Sequence, residues 1–261
     1  MVARRRRADR DDEAQAQADR REVRVRYRRA VRVSRTALVT GAAGGLGRAI
    51  VARLTEDGHR VVTLDLAGDC DIVADLRDEV PDLDGIDVDI CISNAAVVDT
   101  IAPAHAMSGE QWSRDIDVNL TGAFRAVQAC LPGMLDRGWG RIVVVASAAA
   151  QLGLAGQVAY SASKAGLLGM VKTLAVEGVG RGITANAVLP GLIATPKVLG
   201  MPDAVLERVI DELPMRRAAE PAEVASLVGY LATEQAAYIT GQDVRIDGGL
   251  GLQHATLGST R

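Results

Sequence analysis

The sequence predicts one α/β domain built as a doubly wound parallel sheet with helices on both faces. Short apolar runs alternate with helical stretches along nearly the whole chain, the order that right-handed βαβ crossovers produce. The runs are rich in Val and Ile without polar alternation, as expected of strands buried on both faces. A glycine-rich turn follows the first run. Its place, between a strand and a helix, is where such sheets hold phosphates.

Taken in order, strands are expected at Ala37 to Val39, Arg60 to Leu64, Val88 to Ile92, Arg141 to Ala146, Ile183 to Val188 and Asp243 to Ile246. Helices are expected near 46–57, 108–137, 158–179 and 221–233. Only about 22 residues separate Asp65 from the strand at Val88, and they include DLAGDCD and PDLDGID. One crossover there must be short or reduced to turns.

The 261 residues suit one generous domain; 48% are hydrophobic, only 3% are aromatic, and 24% are charged. The formal net charge of -3 conceals two unlike parts. Residues 1–35 carry 13 arginines against 6 acidic residues, a local +7, while the remainder stands at -10. Residues 1–34 are therefore expected to be an arginine-rich, solvated arm, and 35–261 the folded domain, whose motifs below make it a dinucleotide-binding catalytic domain. Cys70, Cys91 and Cys130 form no CxxC pair, so neither a disulfide framework nor a metal site is expected. No apolar segment follows Arg4 to Arg7 as a signal peptide would require, and the uncharged run 142–163 is interrupted by Ser, Gln and Gly. A cytoplasmic protein with no membrane partner is expected.

The turn reads TGAAGGLG, with Thr40, Gly41, Gly44, Gly45, Leu46 and Gly47 between strand and helix. Its spacing is TGxxxGxG and not GxGxxG. Glycines let this backbone turn tightly and approach a pyrophosphate. The second run, HRVVTLD, ends in Asp65, 18 residues after Gly47. A carboxylate there can accept hydrogen bonds from adenosine ribose hydroxyls and would repel a 2′-phosphate. Neither Gly44 nor Leu66 beside it is basic, so NAD is expected in preference to NADP.

Tyr160 and Lys164 lie four apart in a helical stretch and project from one face. An ammonium near a phenol favours phenolate and makes Tyr160 a candidate general acid/base. Alone, a YxxxK pair is what any exposed helix shows. Lys164 is, however, one of three lysines among 27 arginines. Ser147 follows the run RIVVVA at a strand's carboxyl end, where its hydroxyl can bond a substrate oxygen.

TGAAGGLG, SNAA at Ser93 to Ala96, VNL at Val118 to Leu120, Ser147, YSASK, NAVLPGLIATP and IDGG occur in the order and spacing of the short-chain dehydrogenase/reductase family. The sequence resembles that family from residue 36 to about 251. The resemblance implies a Rossmann-like domain in which Tyr160 is the acid/base, Ser147 holds the substrate oxygen, and Lys164 binds the nicotinamide ribose and depresses the Tyr160 pKa. Asn119 would bend its helix and hold a water relaying protons from Lys164. Asp75 and Leu76 in ADL would contact adenine. Asn94, Ala95 and Ala96 would line the cofactor, and Pro190, Gly191, Ile193 and Thr195 would cover the nicotinamide. SNAA replaces the family's NNAG, and the interval from Asp65 to Asp75 is short, so the helix between the second and third strands should be largely missing.

Gln151, Leu152 and Gln157 are expected to line the substrate entrance with Ser147 and Tyr160, and residues 196–215 to form an apolar lid. No Arg or Lys lies between Arg141 and Lys164, which favours a hydrophobic or neutral substrate. The expected activity is hydride transfer between NAD(H) and a secondary alcohol or ketone. A 3-oxoacyl-thioester reductase is the alternative, which the pattern PMRRAAEPAEVASLVGYLATEQAAYITGQDVRIDGG resembles. A cofactor-binding interaction protein using the basic arm is the alternative of another class; nucleic acid is disfavoured because the arm mixes acids with its arginines and has one aromatic, Tyr27. Resemblance also implies a homotetramer, with a dimer as the alternative, through the helices bearing Ala123, Val127, Leu168 and Val171.

Overall fold

The computed structural model describes residues 34–252. Apart from Ser34, the arginine-rich arm expected at 1–34 lies outside the described residues. Seven strands form one parallel sheet: β1 (Thr36–Thr40), β2 (Arg60–Asp65), β3 (Ile72–Val73), β4 (Ile90–Ser93), β5 (Gly140–Val145), β6 (Ile183–Pro190) and β7 (Asp243–Ile246), in the order β3-β2-β1-β4-β5-β6-β7. Ala37 pairs with both Val61 and Ile90, so β1 is central and the order reverses between it and β4. At such a reversal the crossovers leave to opposite faces, and their parting opens a crevice at the strands' carboxyl ends.

The helices are α1 (Gly45–Glu56), α2 (Gly109–Ile116), α3 (Gly122–Arg137), α4 (Ala149–Leu152), α5 (Val158–Gly178), α6 (Pro196–Leu199), α7 (Asp203–Glu212) and α8 (Pro221–Leu231). Ser108 starts α2 with a reciprocal cap: its hydroxyl accepts the Gln111 N–H at 3.1 Å, and the Gln111 side chain accepts the Ser108 N–H at 2.9 Å. A π-helical turn, Asp117–Thr121, joins α2 to α3 within the stretch expected as one helix. Gly138, at φ 65°, ends α3 in the left-handed conformation that glycine favours.

Each face of the sheet buries its own core. Leu38, Cys91, Ile142 and Ala185 point toward Ala126, Val127 and Met134 of α3 and Leu167, Val171 and Leu174 of α5. Val39, Ile92, Val143 and Val188 point toward Ile50 and Leu54 of α1 and Val224 and Val228 of α8. Successive residues on each strand thus serve opposite cores, the reason these runs lack polar alternation. The run 142–163 divides among β5, α4 and the start of α5, and no described helix is long and apolar enough to cross a membrane.

Two expectations are corrected here and one is met. β3 is a two-residue strand that the sequence does not announce; it pairs through Leu64↔Ile72 and Asp65↔Val73. Residues 66–71 contain no helix, as their length required. Ala123, Val127 and Val171 are not on an outer face but in the core, because the apolar stripe of each helix faces the sheet; Phe124 and Val176 lie outside instead.

Leu38 is fully buried on the central strand. Its replacement by alanine should cost about 3 kcal/mol through lost burial and a residual cavity, measured as a lowered urea midpoint with an unchanged slope.

Candidate active site

The glycine-rich turn is shaped by close backbone approaches. Gly41 sits at φ +64°, and a Cβ there would come within 2.8 Å of Ala95 Cα. A Cβ on Gly47 would lie 2.0 Å from the Gly41 carbonyl oxygen, so only hydrogen fits. The start of α1 has Gly44 as its N-cap with no side-chain cap, leaving the first-turn N–H groups to an anion.

Thr40 is fully buried and joins the two strands at the reversal. Its hydroxyl accepts the N–H groups of Asn94 and Ala95, each at 3.0 Å. Asn94 returns its amide to the carbonyls of Thr40 and Gly41 at 3.0 and 3.1 Å. Thr40 therefore holds the rim of the crevice and does not face it.

A cavity of about 980 Å³ runs along the carboxyl ends of the strands. Its lining brings together Gly41, Gly44, Gly45, Leu46, Gly47, Asp65, Leu66, Asp75, Leu76, Asn94, Ala95 and Ala96 with Ser147, Tyr160, Lys164, Pro190, Gly191, Ile193 and Thr195. Residues far apart in sequence thus share one elongated space. The Asp65 carboxylate lies at one end, accepting the N–H of Ala43 at 2.9 Å and of Leu66 at 2.8 Å.

Ser147, Tyr160 and Lys164 form the other end. The buried Lys164 ammonium donates to the Val145 carbonyl at 2.8 Å and stands 5.8 Å from the Tyr160 ring centroid. Burial pulls the Lys164 pKa down to about 8. Burial likewise raises the Tyr160 pKa, the Ser147 hydroxyl bonded to the phenol pulls it back, and the charge of Asp115 adds to the rise. In the protein alone the phenol is thus held protonated, opposite to the depression that Lys164 was expected to cause. Desolvation is the larger effect on the phenol, and the Lys164 ammonium gives its hydrogen bond to the Val145 carbonyl.

Asn119 lies within the π-helical turn, fully buried and away from the cavity lining. Its side chain accepts the Val97 N–H at 2.8 Å and donates to the Val97 carbonyl at 3.0 Å and the Ser163 hydroxyl at 3.3 Å. It ties α5 to the segment after β4.

Asp75 lines the cavity, but its carboxylate is occupied by the Arg77 guanidinium, with Nη2 at 2.6 Å and Nε at 3.0 Å. That bond holds the Asp75 carboxyl below the usual range. Gln157 does not line the entrance: it is buried just before α5, and its side chain turns to the segment 97–102, donating to the Val98 carbonyl at 3.0 Å. Gln151 and Leu152, exposed on α4, also lie outside the lining. Arg48, Arg77, Arg114 and Lys197 are cavity residues that motif reading misses. Arg48 bonds the Ala43 carbonyl at 2.9 Å, while Asp99 joins Arg114 at 3.0 Å and Lys197 at 3.9 Å across the mouth. Helical spacing from Gly45 could have flagged Arg48; the other pairings exist only in the fold.

A family model described as enoyl-(acyl carrier protein) reductase matches residues 73–251. The chain is 41% identical over 239 residues to an acetoacetyl-CoA reductase of Rhizobium meliloti, covering 83% of this chain and 98% of that protein. It is 36% identical over 235 residues to the 3-oxoacyl-(acyl-carrier-protein) reductase MabA of Mycobacterium tuberculosis, covering 85% and 95%. Among solved structures, an oxidoreductase of the short-chain dehydrogenase/reductase family from Burkholderia thailandensis superposes with TM-score 0.76 at 34% identity, covering 84% of this chain and 93% of that one. A 3-oxoacyl-(acyl-carrier protein) reductase from Brucella melitensis gives TM-score 0.76 at 32% identity, covering 84% and 92%. The chain belongs to the short-chain dehydrogenase/reductase family, oxidoreductases that use NAD or NADP, and its likeness there is to the 3-oxoacyl-thioester reductase type.

Lys164 is depressed to about 8 against about 10.4 in an unfolded chain, so its charge opposes folding below the lower value. The penalty is complete below pH 8 and fades as pH rises toward 10.4. Lys164→Met should therefore stabilise the fold at pH 7 by up to about 3 kcal/mol, with a smaller gain at pH 9.5, measured by urea unfolding at both values.

Proposed function

We propose that this member of the family reduces the ketone of a 3-oxoacyl thioester, drawing on NADH. The observation that carries the reading is the convergence of Ser147, Tyr160 and Lys164 on one end of a cavity whose other end is formed by the glycine turn and Asp65. Two relatives bear the names acetoacetyl-CoA reductase and 3-oxoacyl-(acyl-carrier-protein) reductase, which favours the thioester over the wider class of secondary alcohols and ketones.

The residues fit a nicotinamide dinucleotide. A glycine cradle that a Cβ would fill meets the uncapped start of α1, suited to a pyrophosphate, and Asp65 stands where ribose hydroxyls would lie. When bound, the nicotinamide supplies or accepts the hydride. Ser147 orients the substrate oxygen by donating to it. Tyr160 gives its hydroxyl proton to that oxygen in reduction and takes it back in oxidation. The Lys164 ammonium holds the nicotinamide ribose and supplies a positive field beside the phenol. Asn119 acts on this group from behind, through Ser163.

NADH is favoured because the Asp65 carboxylate, fixed by the Ala43 and Leu66 N–H groups, would face a 2′-phosphate with like charge. Arg48 tempers that repulsion, since its guanidinium meets the carbonyl of the same Ala43 whose N–H meets Asp65. Arg77, pinned flat by Asp75, can wall the adenine in place of the direct Asp75 contact that the resemblance implies. In the expected lid, Leu199 at the end of α6 and Met215, three residues after α7, are both exposed for an acyl chain to meet. A homotetramer acting in the cytoplasm completes the reading, with Phe124 and Val176 on the outer faces of α3 and α5 as contact residues.

Assays of acetoacetyl-CoA and neutral ketones with NADH and NADPH separately should show highest kcat/KM for the thioester with NADH. A neutral secondary ketone outperforming every thioester would overturn the substrate assignment. Tyr160→Phe should lower reduction about 100-fold or more without weakening NADH binding, read by fluorescence quenching. Asp65→Asn should raise kcat/KM for NADPH about tenfold; an unchanged cofactor ratio would remove Asp65 from that choice. Light scattering on the intact chain should give the mass of four copies.

A further inference from the structure

Asp115 is fully buried, yet none of the ion pairs among the described residues includes it. Its Oδ1 accepts the Thr100 hydroxyl at 2.8 Å, and its Oδ2 has no hydrogen-bond partner among the described residues. Such a carboxylate is costly, so its surroundings reveal what its charge acts on.

Those surroundings follow from helix geometry. The continuous stretch of α2, the π-helical turn and α3 leads back to β5, and α5 leads back to β6. Both cover the same face of a parallel sheet, so they run in the same direction. Asn119 meets Ser163 across this contact at 3.3 Å. One turn earlier on the first helix lies Asp115; one turn earlier on α5 lie Ala159 and Tyr160. The segment 97–102 closes the gap. It bonds Asp115 through Thr100 and reaches the start of α5 through Ala102 N–H to the Gly156 carbonyl at 2.8 Å, and through Gln157 to Val98.

We propose that Asp115 is a positioning residue for the reaction: its buried carboxylate faces the start of α5, opposes the field of Lys164, and biases Tyr160 toward proton donation, the role that ketone reduction requires. The inference rests on the acid/base role given to Tyr160. The groups bearing on the phenol are Lys164 one turn along its own helix, Ser147 after β5 and, through its charge, Asp115 on α2. Arg114, Asp99 and Lys197 are engaged with one another at the exposed mouth. Pro190 at the end of β6 and Gly191 after it carry no charge. Asp115 is thus the anion on the phenol's side, and its effect on Tyr160 is in the direction of retaining the proton.

The test uses the full chain with NADH and acetoacetyl-CoA, comparing Asp115→Asn and Asp115→Leu with the wild type. Losing the anion stabilises phenolate, so the phenol ionises at lower pH. The alkaline limb of kcat/KM for reduction should move down by about half a pH unit or more, a roughly threefold loss on that limb, and the acid limb of 3-hydroxybutyryl-CoA oxidation should move down with it. Thr100→Val, which removes a hydroxyl and keeps the charge, should leave the limbs in place. Ultraviolet difference titration, each protein minus its Tyr160→Phe counterpart, reads the phenol directly and does not depend on turnover. A limb and a titration midpoint unmoved in both Asp115 variants, or a shift reproduced by Thr100→Val, overturns the proposal. If Tyr160→Phe itself keeps full activity, the acid/base assignment fails, whereas the difference titration still reports whether Asp115 acts on the phenol.

Discussion

A parallel sheet covered on both faces leaves its strand ends as the place where backbone groups can meet a ligand, and here the whole site depends on how two of those ends are held. β1 and β4 are neighbours whose chains depart to opposite faces. The buried Thr40 hydroxyl takes two N–H groups from the β4 side, and Asn94 takes up two carbonyls from the β1 side. These bonds satisfy polar groups that would otherwise be buried without partners. They also fix the spacing of the rim. Gly41 can come so close to Ala95 only because it has no side chain, and that approach sets the width of the cavity behind it.

The second requirement is electrostatic. Lys164 is taken out of water, with the Val145 carbonyl as its hydrogen-bond partner in the described structure, and the cost appears in its lowered pKa. The fold tolerates the cost because β5 and α5 are anchored by deep packing of Ile142, Val144, Leu167 and Val171. Those side chains bind no ligand. They keep the ammonium in place when solvation would draw it outward, so core packing and site chemistry are coupled at one residue.

The alternation of strands and helices in a parallel sheet and most element boundaries were legible because they rest on periodicity and glycine punctuation, both local properties of the chain. The run ITANAVLP, for example, is buried at every position of β6 and looks so in sequence. β3 was not legible: two residues hold it in the sheet, and Ile72 and Val73 stand among Asp and Gly. Motif spacing located the residues around the cavity but not their orientation. Gln157 and Asp75 are both polar and near the right place. One turns inward to Val98 and the other is claimed by Arg77, partners fixed by tertiary contacts. Likewise Asp115 in WSRDIDVNL has the look of a surface helix residue, since the charged Arg114 and Asp117 flank it in sequence. Only the pairing of two helices shows that it is buried.

That burial bears on the direction in which the phenol works. A tyrosine that must accept a proton benefits from nearby positive charge, and one that must donate benefits from being kept neutral until the substrate oxygen develops charge. Lys164 serves the first need and burial the second. In the protein without ligand the balance lies with the neutral phenol, since desolvation and the Asp115 charge act together against the single hydrogen bond from Ser147. On the proposed function, an oxidised nicotinamide would bring a positive charge into the same space and favour phenolate, whereas the reduced form would bring none there. The charge on the bound cofactor would then set the proton affinity of Tyr160 in the sense each direction needs. The role then left to the protein would be to place the resting point, and the proposed action of Asp115 would place it on the side of reduction.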